Sequence, residues 1–266
     1  MKHKIITFGE LMLRLSPDNN ERFTQAHSYE AVYGGGEANT AVSLANFNVD
    51  TRYVTKLPKH TIGQSAVNSL RQYGVDVSRI VRGGDQIGIY FLEKKTSQRP
   101  TNVIYNRNGS AFALAAKEDF DWDSIFDGAT WFHFSGITPA ISDNMAEITI
   151  EACKEAKKRG ITVSCDLNYR SKLWSSEKAN KVMSEVCRYV DICIANEDDA
   201  VGIFGMDASK SDKEKNAYIA EELTKMFPNF KMVASVWRTE TSITTFKLQS
   251  MIYTEGKAYY SQEFFM

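Results

Sequence analysis

The sequence lacks the features that would direct a protein to a membrane or to a charged polymer. No stretch approaches the roughly 18–20 consecutive apolar residues that span a bilayer, and residues 1–4 open no apolar run of signal-peptide length. With 32 basic and 33 acidic residues, the net charge of -1 gives no long-range attraction to nucleic acid or anionic lipid. Neither nucleic acid nor a membrane is therefore predicted as a partner.

Cysteine and histidine are also scarce, with four of each. The cysteines form no CxxC pair and show no metal-like spacing, and the histidines are scattered. The cysteines are Cys153, Cys165, Cys187 and Cys193. Three of them lie in apolar periodic segments, which is typical of reduced, buried thiols. A reducing, cytoplasmic location is expected.

A glycine triplet, Gly34–Gly36, runs directly into a helix-forming sequence that ends near Asn46. Glycines permit positive φ and leave no side chain between the main chain and a ligand. Asn39 lies in the first helical turn, where free N–H groups and the helix dipole favour an anionic or hydroxyl-rich partner. A tight turn that only packs a helix against a sheet is the alternative that these residues leave open.

Most of the chain alternates short apolar runs with amphipathic segments. The runs predict strands at 5–9, 51–57, 130–136, 161–165, 190–195 and 231–237, with a β pair at 250–253 and 258–261. Between them, helical spacing predicts helices over 39–46, 62–73, 142–158 and 179–189, and another after Asn196. This order predicts a doubly wound α/β fold with a mostly parallel sheet flanked by helices.

The alternation is interrupted by a predicted hairpin of residues 89–93 and 102–107. If its turn centres between Ser97 and Gln98, the numbers of paired residues sum to 195. Tyr90 then faces Tyr105, and period-two geometry puts Arg107 on the Tyr105 face. The two tyrosines and the arginine could line a ligand site, or the hairpin could be an ordinary exposed one.

Polar residues follow two predicted strands where these leave the sheet. Asp166, Asn168 and Arg170 come after one strand, and the acid-rich segment Asn196–Asp199 after another. Open α/β sheets bind ligands at this edge, and the second segment suits a hydrated Mg²⁺ held chiefly through phosphates and waters. A solvated turn and helix N-capping by acids are the respective alternatives.

Five ordered motifs resemble the ribokinase-like (PfkB) carbohydrate kinases, and within them most closely the 2-keto-3-deoxygluconate kinases. The motifs are Gly9-Glu10 with Arg14–Pro17, Gly34–Asn39, Gly88–Glu93, Phe134–Ile137 and Asp166–Trp174. The resemblance covers essentially the whole chain. Five motifs in order are far more specific than one glycine-rich turn.

The resemblance implies ATP-dependent phosphate transfer to a sugar hydroxyl with Mg²⁺, and leaves a monovalent cation open. It implies a kinase core of residues 1–10, 34–87 and 113–266, and a small β lid of residues 11–33 and 88–112. The exposed apolar face expected for the lid predicts a homodimer formed through it.

Residue roles follow from the same resemblance. The implied sugar-binding residues are Gly34, Gly35, Asn39, Tyr90, Tyr105, Arg107, Ile137 and Arg170. Arg170 would pair with the acid end of a keto-deoxy sugar acid, because a guanidinium fork holds a carboxylate bidentately. Asn168, Asn196 and Arg238 would lie near the nucleotide or its phosphates, and Asp199 near the metal.

The sequence departs from the family pattern at two places, and both lower the activity that we expect. Residues 236–242 lack the glycines common there, and the glycine-rich anion hole that ends in the catalytic aspartate is not found before Met266. We therefore assign no catalytic residue and expect an amino-terminal portion of a sugar kinase with little turnover of its own. A kinase for a neutral sugar such as fructose, and a non-catalytic sugar-binding protein or inactive fragment, stay open.

Overall fold

The computed structural model describes residues 3–96, 98–207, 215–242 and 245–266. The chain divides into two compact units, one of Met1–His133 with Ile141–Ile148 and the other of Phe134–Ala140 with Thr149–Met266. The division into lid and core expected from the sequence uses different boundaries and stays a prediction.

The first unit contains a parallel strand set, a separate four-stranded sheet, a short strand pair and three helices. In chain order these elements are β1 (Lys4–Phe8), β2 (Met12–Pro17), β3 (Tyr29–Gly34), α1 (Gly36–Asn46), β4 (Asp50–Val54), β5 (Lys56–Leu57), α2 (Thr61–Arg71), β6 (Val81–Arg82), β7 (Ile89–Glu93), β8 (Asn102–Asn106) and α3 (Trp122–Ile125). The strand β9 (Trp131–Ser135) and the helix α5 (Asp143–Lys158) contribute residues to both units.

The core of the first unit forms around β1, which pairs in parallel with β4 on one side and with β9 on the other. Phe8 is fully buried on this strand. The rings of Phe112, Phe120 and Trp122 meet it edge-on at centroid distances of 5.4, 5.3 and 5.5 Å. Edge-to-face packing of this kind stabilises a core beyond the area it buries. The continuous apolar run of β1 is explained by this burial.

The four-stranded sheet of the first unit has the order β3-β2-β7-β8 and will be called the lid sheet. Its β7–β8 register pairs Tyr90 with Tyr105 and Glu93 with Asn102. Each pair sums to 195, so the register predicted from the turn is confirmed. Ser97, one of the two residues at the predicted turn centre, lies outside the described residues.

Several elements differ from the sequence-based expectation, and three of these differences lie at the amino-terminal strands and helix of the first unit. Tyr29–Gly34 is a strand, because it pairs antiparallel with β2. The strand expected over 51–57 is interrupted at Thr55, because β4 pairs with β1 whereas β5 pairs with β6. The helix α1 begins at Gly36 rather than Asn39, because Gly35 is still fully extended with φ -177°.

The second unit combines parallel strands with an antiparallel extension. Its elements are α4 (Ile137–Ala140), β10 (Thr162–Asp166), α6 (Ser176–Cys187), β11 (Ile192–Ile194), α7 (Glu197–Phe204), α8 (Lys215–Met226), β12 (Met232–Glu240), β13 (Phe246–Thr254), β14 (Lys257–Tyr260) and β15 (Phe264–Phe265). Strands β10, β11 and β12 are parallel, whereas β13 pairs antiparallel with β12, β14 and β15. The predicted α/β architecture with a mostly parallel strand arrangement is confirmed. In the described part of the chain, no helix combines the length and apolar character needed to cross a bilayer.

All four cysteines are buried in the second unit and carry free thiols, whereas the sequence pattern predicts this for three of them. Burial raises the pKa of each thiol above its usual value. Since the thiolate is the reactive and metal-binding form, these side chains act as small apolar core residues.

A buried carboxylate, Asp191, joins three segments of the second unit. Its oxygens accept hydrogen bonds from Lys157 Nζ at 2.9 and 2.8 Å and from the Val163 N–H at 2.9 Å. Lys231 Nζ lies 3.0 Å away. Burial alone would raise the pKa of Asp191, but these partners lower it below its ordinary value. The ionised form is therefore the stabilising one.

Replacing Asp191 is expected to destabilise the protein in a pH-dependent way. Asp191→Asn should lower the free energy of unfolding by about 1–3 kcal/mol at pH 7, because it removes a charge that two lysines and a backbone N–H face. The stabilisation by Asp191 is complete above the unfolded-state pKa of about 3.9 and is lost as the pH falls through the lower folded-state value. Urea unfolding of both proteins from pH 7 to pH 3 measures the difference.

The control is Asp198→Asn, which changes an exposed acid in the same unit and should alter stability by no more than about 0.5 kcal/mol. A stability loss at Asp191 that is equally large at pH 3 would contradict the electrostatic account.

Candidate functional site

The glycine triplet is required for space and not for an unusual backbone conformation. None of Gly34, Gly35 and Gly36 has a positive φ, so the turn does not use the left-handed conformations that glycine permits. A Cβ on Gly35 would lie 2.2 Å from the backbone carbonyl oxygen of Glu10, far inside van der Waals contact. The turn thus packs its main chain directly against the segment that leaves β1.

Gly34, the Tyr90 hydroxyl and the Asn39 side chain surround a small polar space, which will be called the cradle. A Cβ on Gly34 would lie 3.7 Å from the Tyr90 hydroxyl and 3.9 Å from Oδ1 of Asn39. The Asn39 N–H already donates to Gly35 O at 2.9 Å, whereas the Asn39 side chain is exposed. Three residues predicted to bind sugar therefore converge from β3, β7 and α1. A hydroxyl and an amide can both donate and accept hydrogen bonds, as recognition of a polyhydroxylated ligand requires.

Two tyrosines extend the cradle along the lid sheet. Tyr90 and Tyr105 stack with ring centroids 5.8 Å apart and an interplanar angle of 30°. Tyr105 is 50% exposed, so a ligand can reach its ring. Burial raises the pKa of Tyr90, while the neighbouring Arg14 guanidinium acts in the opposite direction. Tyr90 is therefore a neutral hydrogen-bonding group at physiological pH.

Arg107 follows β8 and is buried beside this pair of tyrosines. Its guanidinium carbon lies 5.8 Å from the Tyr105 ring centroid, in cation–π range. Nη2 donates a hydrogen bond to Glu10, and only 6% of Arg107 is exposed. Its charge is thus balanced by Glu10, and a direct contact of Arg107 with sugar stays a prediction.

Glu10 is a site residue to which the sequence reasoning assigned no role. Its carboxylate accepts hydrogen bonds from Arg107 and, at 2.5 Å, from Ser110 Oγ. Burial raises the pKa of Glu10; Arg107 and Ser110 lower it, and Glu37 raises it further. The feature of the sequence that indicates a role for Glu10 is its position just after β1, where open α/β sheets place functional side chains.

In the second unit, Asn196 and Asp199 form a capping box at the start of α7. Asn196 Oδ1 accepts from the Asp199 N–H at 2.9 Å, and Asp199 Oδ2 accepts from the Asn196 N–H at 3.1 Å. Asp199 Oδ1 also accepts from the Tyr169 N–H at 2.7 Å. Burial raises the Asp199 pKa, and the backbone donors act against this shift. The carboxylate therefore holds the loop after β10 against the start of α7.

The arrangement around Asp199 does not fit a metal ion held directly by the protein. Only 2% of Asp199 is exposed, and each of its oxygens already accepts a backbone N–H. Among the described residues, no group of three or more histidines, cysteines and acids is arranged as a metal site. The metal role of Asp199 stays a prediction. Mg²⁺ held through phosphates and waters would need no such cluster.

The loop after β10 contains the two further residues predicted there. Asn168 has a left-handed backbone with φ 40°, which a non-glycine residue rarely adopts. Arg170 is exposed, and its Nη1 donates to Tyr169 O at 2.9 Å. This bond uses one of the five guanidinium donors, so most of the fork is available to a ligand.

The last two predicted residues have local structural contacts. Ile137 begins α4, and its N–H donates to Ser135 Oγ at 3.3 Å. Arg238 donates to Glu240 at 2.7 Å and lies 4.5 Å from the Phe246 ring centroid. Their contacts with sugar or nucleotide stay predictions.

Solved structures of kinases resemble the whole chain. A 2-dehydro-3-deoxygluconokinase from Thermotoga maritima is 45% identical with a TM-score of 0.95, and the match covers 100% of this chain and 80% of that one. A PfkB family carbohydrate kinase from Listeria grayi is 33% identical with a TM-score of 0.91, covering 99% and 80%. The chain therefore has the ribokinase-like α/β fold.

Sequence relatives agree with this fold. A 2-dehydro-3-deoxygalactonokinase from Haloferax volcanii is 37% identical over 78% of this chain and 65% of its own length. A 2-dehydro-3-deoxygluconokinase from Bacillus subtilis is 28% identical over 66% of this chain and 55% of its own length. This chain thus spans less than two thirds of the length of these relatives. The model of the pfkB family carbohydrate kinases matches residues 2–229. The chain belongs to the PfkB family of carbohydrate kinases.

Proposed function

We propose that this chain binds a keto-deoxy sugar acid, most closely 2-keto-3-deoxygluconate, for ATP-dependent phosphorylation of one of its hydroxyls. The convergence of Gly34, the Tyr90 hydroxyl and the Asn39 amide is the observation that carries this proposal. Gly34 has no side chain to block a ligand, and the polar groups of Tyr90 and Asn39 lie next to it. The stacked rings of Tyr90 and Tyr105 lie beside these groups. The relatives named as kinases of 2-dehydro-3-deoxy sugar acids favour this substrate class.

For the phosphate donor we propose ATP with a divalent cation. Asn168, Asn196 and Arg238 are the proposed nucleotide or phosphate residues. Asp199 contributes by fixing the loop that carries Asn168 and Arg170, through its hydrogen bond to the Tyr169 N–H. Phosphoryl transfer depends chiefly on positioning and charge stabilisation, so a rigid loop beside the phosphates has a direct chemical use. Low turnover by the 266-residue chain, its cytoplasmic location and any monovalent-cation requirement stay predictions.

Binding is the primary test of the proposed function. Isothermal titration with 2-keto-3-deoxygluconate should show a dissociation constant in the micromolar to low-millimolar range, and fructose should bind at least about 10-fold more weakly, corresponding to about 1.4 kcal/mol. Absence of measurable binding by either sugar would contradict the proposal, and equal affinities would favour a neutral-sugar kinase.

Alanine substitution should affect sugar binding and stability differently at each of the three glycines of the turn. Gly34→Ala puts a methyl group into the cradle at ordinary contact distance, so it should weaken sugar binding about 10-fold or more without lowering stability. Gly35→Ala should cost about 1–3 kcal/mol of stability, because its Cβ would overlap the Glu10 carbonyl.

Gly36→Ala is the matched control for both variants. Apart from its chain neighbours and the backbone of its own helix, no atom of the described residues lies within 4 Å of the position that its Cβ would take, so both sugar binding and folding should be preserved. Thermal unfolding and titration calorimetry on the three variants check these outcomes. Sugar binding by Gly34→Ala as tight as that of Gly36→Ala would count against the cradle.

Arg170 is the proposed partner of the acceptor carboxylate in the second unit. Arg170→Ala should weaken binding of the sugar acid about 10-fold and leave fructose binding within about 3-fold, because only the acid carries a charge. Arg188→Ala, which removes another exposed arginine of the same unit, should change neither. Equal losses for both sugars on Arg170→Ala would favour a kinase for neutral sugars.

The apolar face of the lid sheet supports the proposal of a homodimer. Strand register puts Leu15, Phe91 and Ile104 in one cross-strand row, on the face opposite Tyr90 and Tyr105. Ile104 is 51% exposed. Leu15 and Phe91 are only partly exposed, and Phe91 packs against the rings of Phe23 and Tyr29. Ile104 is therefore the residue of this row that we expect to contact a partner chain.

Light scattering at micromolar concentration should give the mass of a dimer, and Ile104→Lys should shift it to that of a monomer because the new charge would be buried at the interface. Phe47→Lys, at an apolar side chain that is 78% exposed elsewhere in the unit, is the control and should remain dimeric. A monomeric mass for the unchanged protein would rule out this assembly.

A further inference from the structure

We propose that Arg14 is a further binding residue, which acts in addition to Arg170 on the anionic group of the acceptor and selects a sugar acid over a neutral sugar. This inference rests on the proposed function, because it adds a specificity-determining cation to the same sugar-binding surface.

The lid-sheet register puts Arg14 in the same cross-strand row as Tyr90 and Tyr105, which will be called the tyrosine row. Arg14 pairs with Tyr90 across β2 and β7, and Tyr90 pairs with Tyr105 across β7 and β8. Directly paired residues share a face of a sheet, so the three side chains form one row. The Tyr90 hydroxyl lies 3.7 Å from the Cβ position of Gly34 and interacts with the Arg14 side chain. Arg14 is thus the direct strand neighbour of the tyrosine whose hydroxyl borders the cradle.

The charges around Arg14 leave it able to bind an anion. Its ion-pair partner Glu30 lies 3.7 Å from Nη2, which is longer than a hydrogen bond. The same Glu30 oxygen lies 3.5 Å from Lys94 Nζ, so two cations share one half-exposed carboxylate. Arg14 Nε has no hydrogen-bond partner within the described residues. Arg14 thus keeps a positive charge that the shared Glu30 carboxylate balances only in part.

Arg107 lies near the same tyrosine pair, and its Nε likewise has no hydrogen-bond partner among the described residues, but its charge is balanced differently. The buried Glu10 accepts a hydrogen bond from Arg107 and balances its charge. The Arg14 side chain is 28% exposed, so a ligand in the cradle can reach it. Arg14 is consequently the more available cation of the lid sheet.

The chemistry of the two groups explains the selectivity. A guanidinium presents parallel N–H donors that match the two oxygens of a carboxylate, and charge-assisted bonds of this type are about twice as strong as neutral ones. A neutral sugar offers only hydroxyl groups and gains much less from the same fork. Loss of the guanidinium should therefore weaken binding of the sugar acid more than binding of a neutral sugar.

The test compares Arg14→Gln with the unchanged protein by isothermal titration. We expect the dissociation constant for 2-keto-3-deoxygluconate to rise about 10-fold or more, and that for fructose to change by less than about 3-fold. Lys94→Gln is the matched control, since it removes the other cation on Glu30 without a place in the tyrosine row. It should change neither value by more than about 3-fold.

Unchanged acid binding by Arg14→Gln, equal losses for both sugars, or the same loss with Lys94→Gln would overturn the assignment. If the unchanged protein binds neither sugar, the proposed function itself fails, and this result is distinct from selective behaviour of the variants. Arg14→Lys keeps the charge but not the fork and provides a milder substitution, with thermal unfolding as the check on folding. It should weaken acid binding less than Arg14→Gln; a greater loss than with glutamine would contradict the role of the charge.

Discussion

The first unit depends on the way one residue, Glu10, is enclosed. Its carbonyl oxygen occupies the space that a Cβ on Gly35 would need, so the glycine turn can approach the end of β1 only without a side chain. Its carboxylate is buried and held by Arg107 and Ser110, which follow β8. A buried carboxylate is tolerated only when paired and hydrogen-bonded. The glycine turn and the segment after β8 are therefore both fixed by the same residue.

The two faces of the lid sheet carry chemically different side chains. Neighbouring cross-strand rows point to opposite faces, because side chains alternate along a strand. The row of Arg14, Tyr90 and Tyr105 is polar and aromatic, whereas the adjacent row contains Leu15 and Phe91 and is apolar. One face is thus chemically suited to a sugar acid and the other to a protein surface. A shift of register by one residue would exchange the two faces.

Buried carboxylates also stabilise the second unit, where they join separate segments of the chain by hydrogen bonds. Asp199 bonds the N–H groups of Tyr169 and Asn196, and Asp191 bonds Lys157 and Val163. In both cases the carboxylate accepts a backbone donor of a distant segment and so joins two parts of the chain. The loop that carries Arg170 is fixed in this way beside α7, which suits a loop that contacts phosphates or a carboxylate. Acidic residues after a strand therefore do not by themselves indicate a metal ion.

The sequence by itself determined the α/β class, most helices and strands, the buried thiols and the Tyr90–Tyr105 pairing, because periodicity and turn composition are local properties. It also identified Gly34 and Asn39 as candidate sugar residues. Only the tertiary structure decided that Glu10 balances Arg107 and that Arg14 stands in the tyrosine row. These contacts join segments far apart in the chain, and their partners are selected by packing and by the need to pair buried charges. No local pattern contains that information.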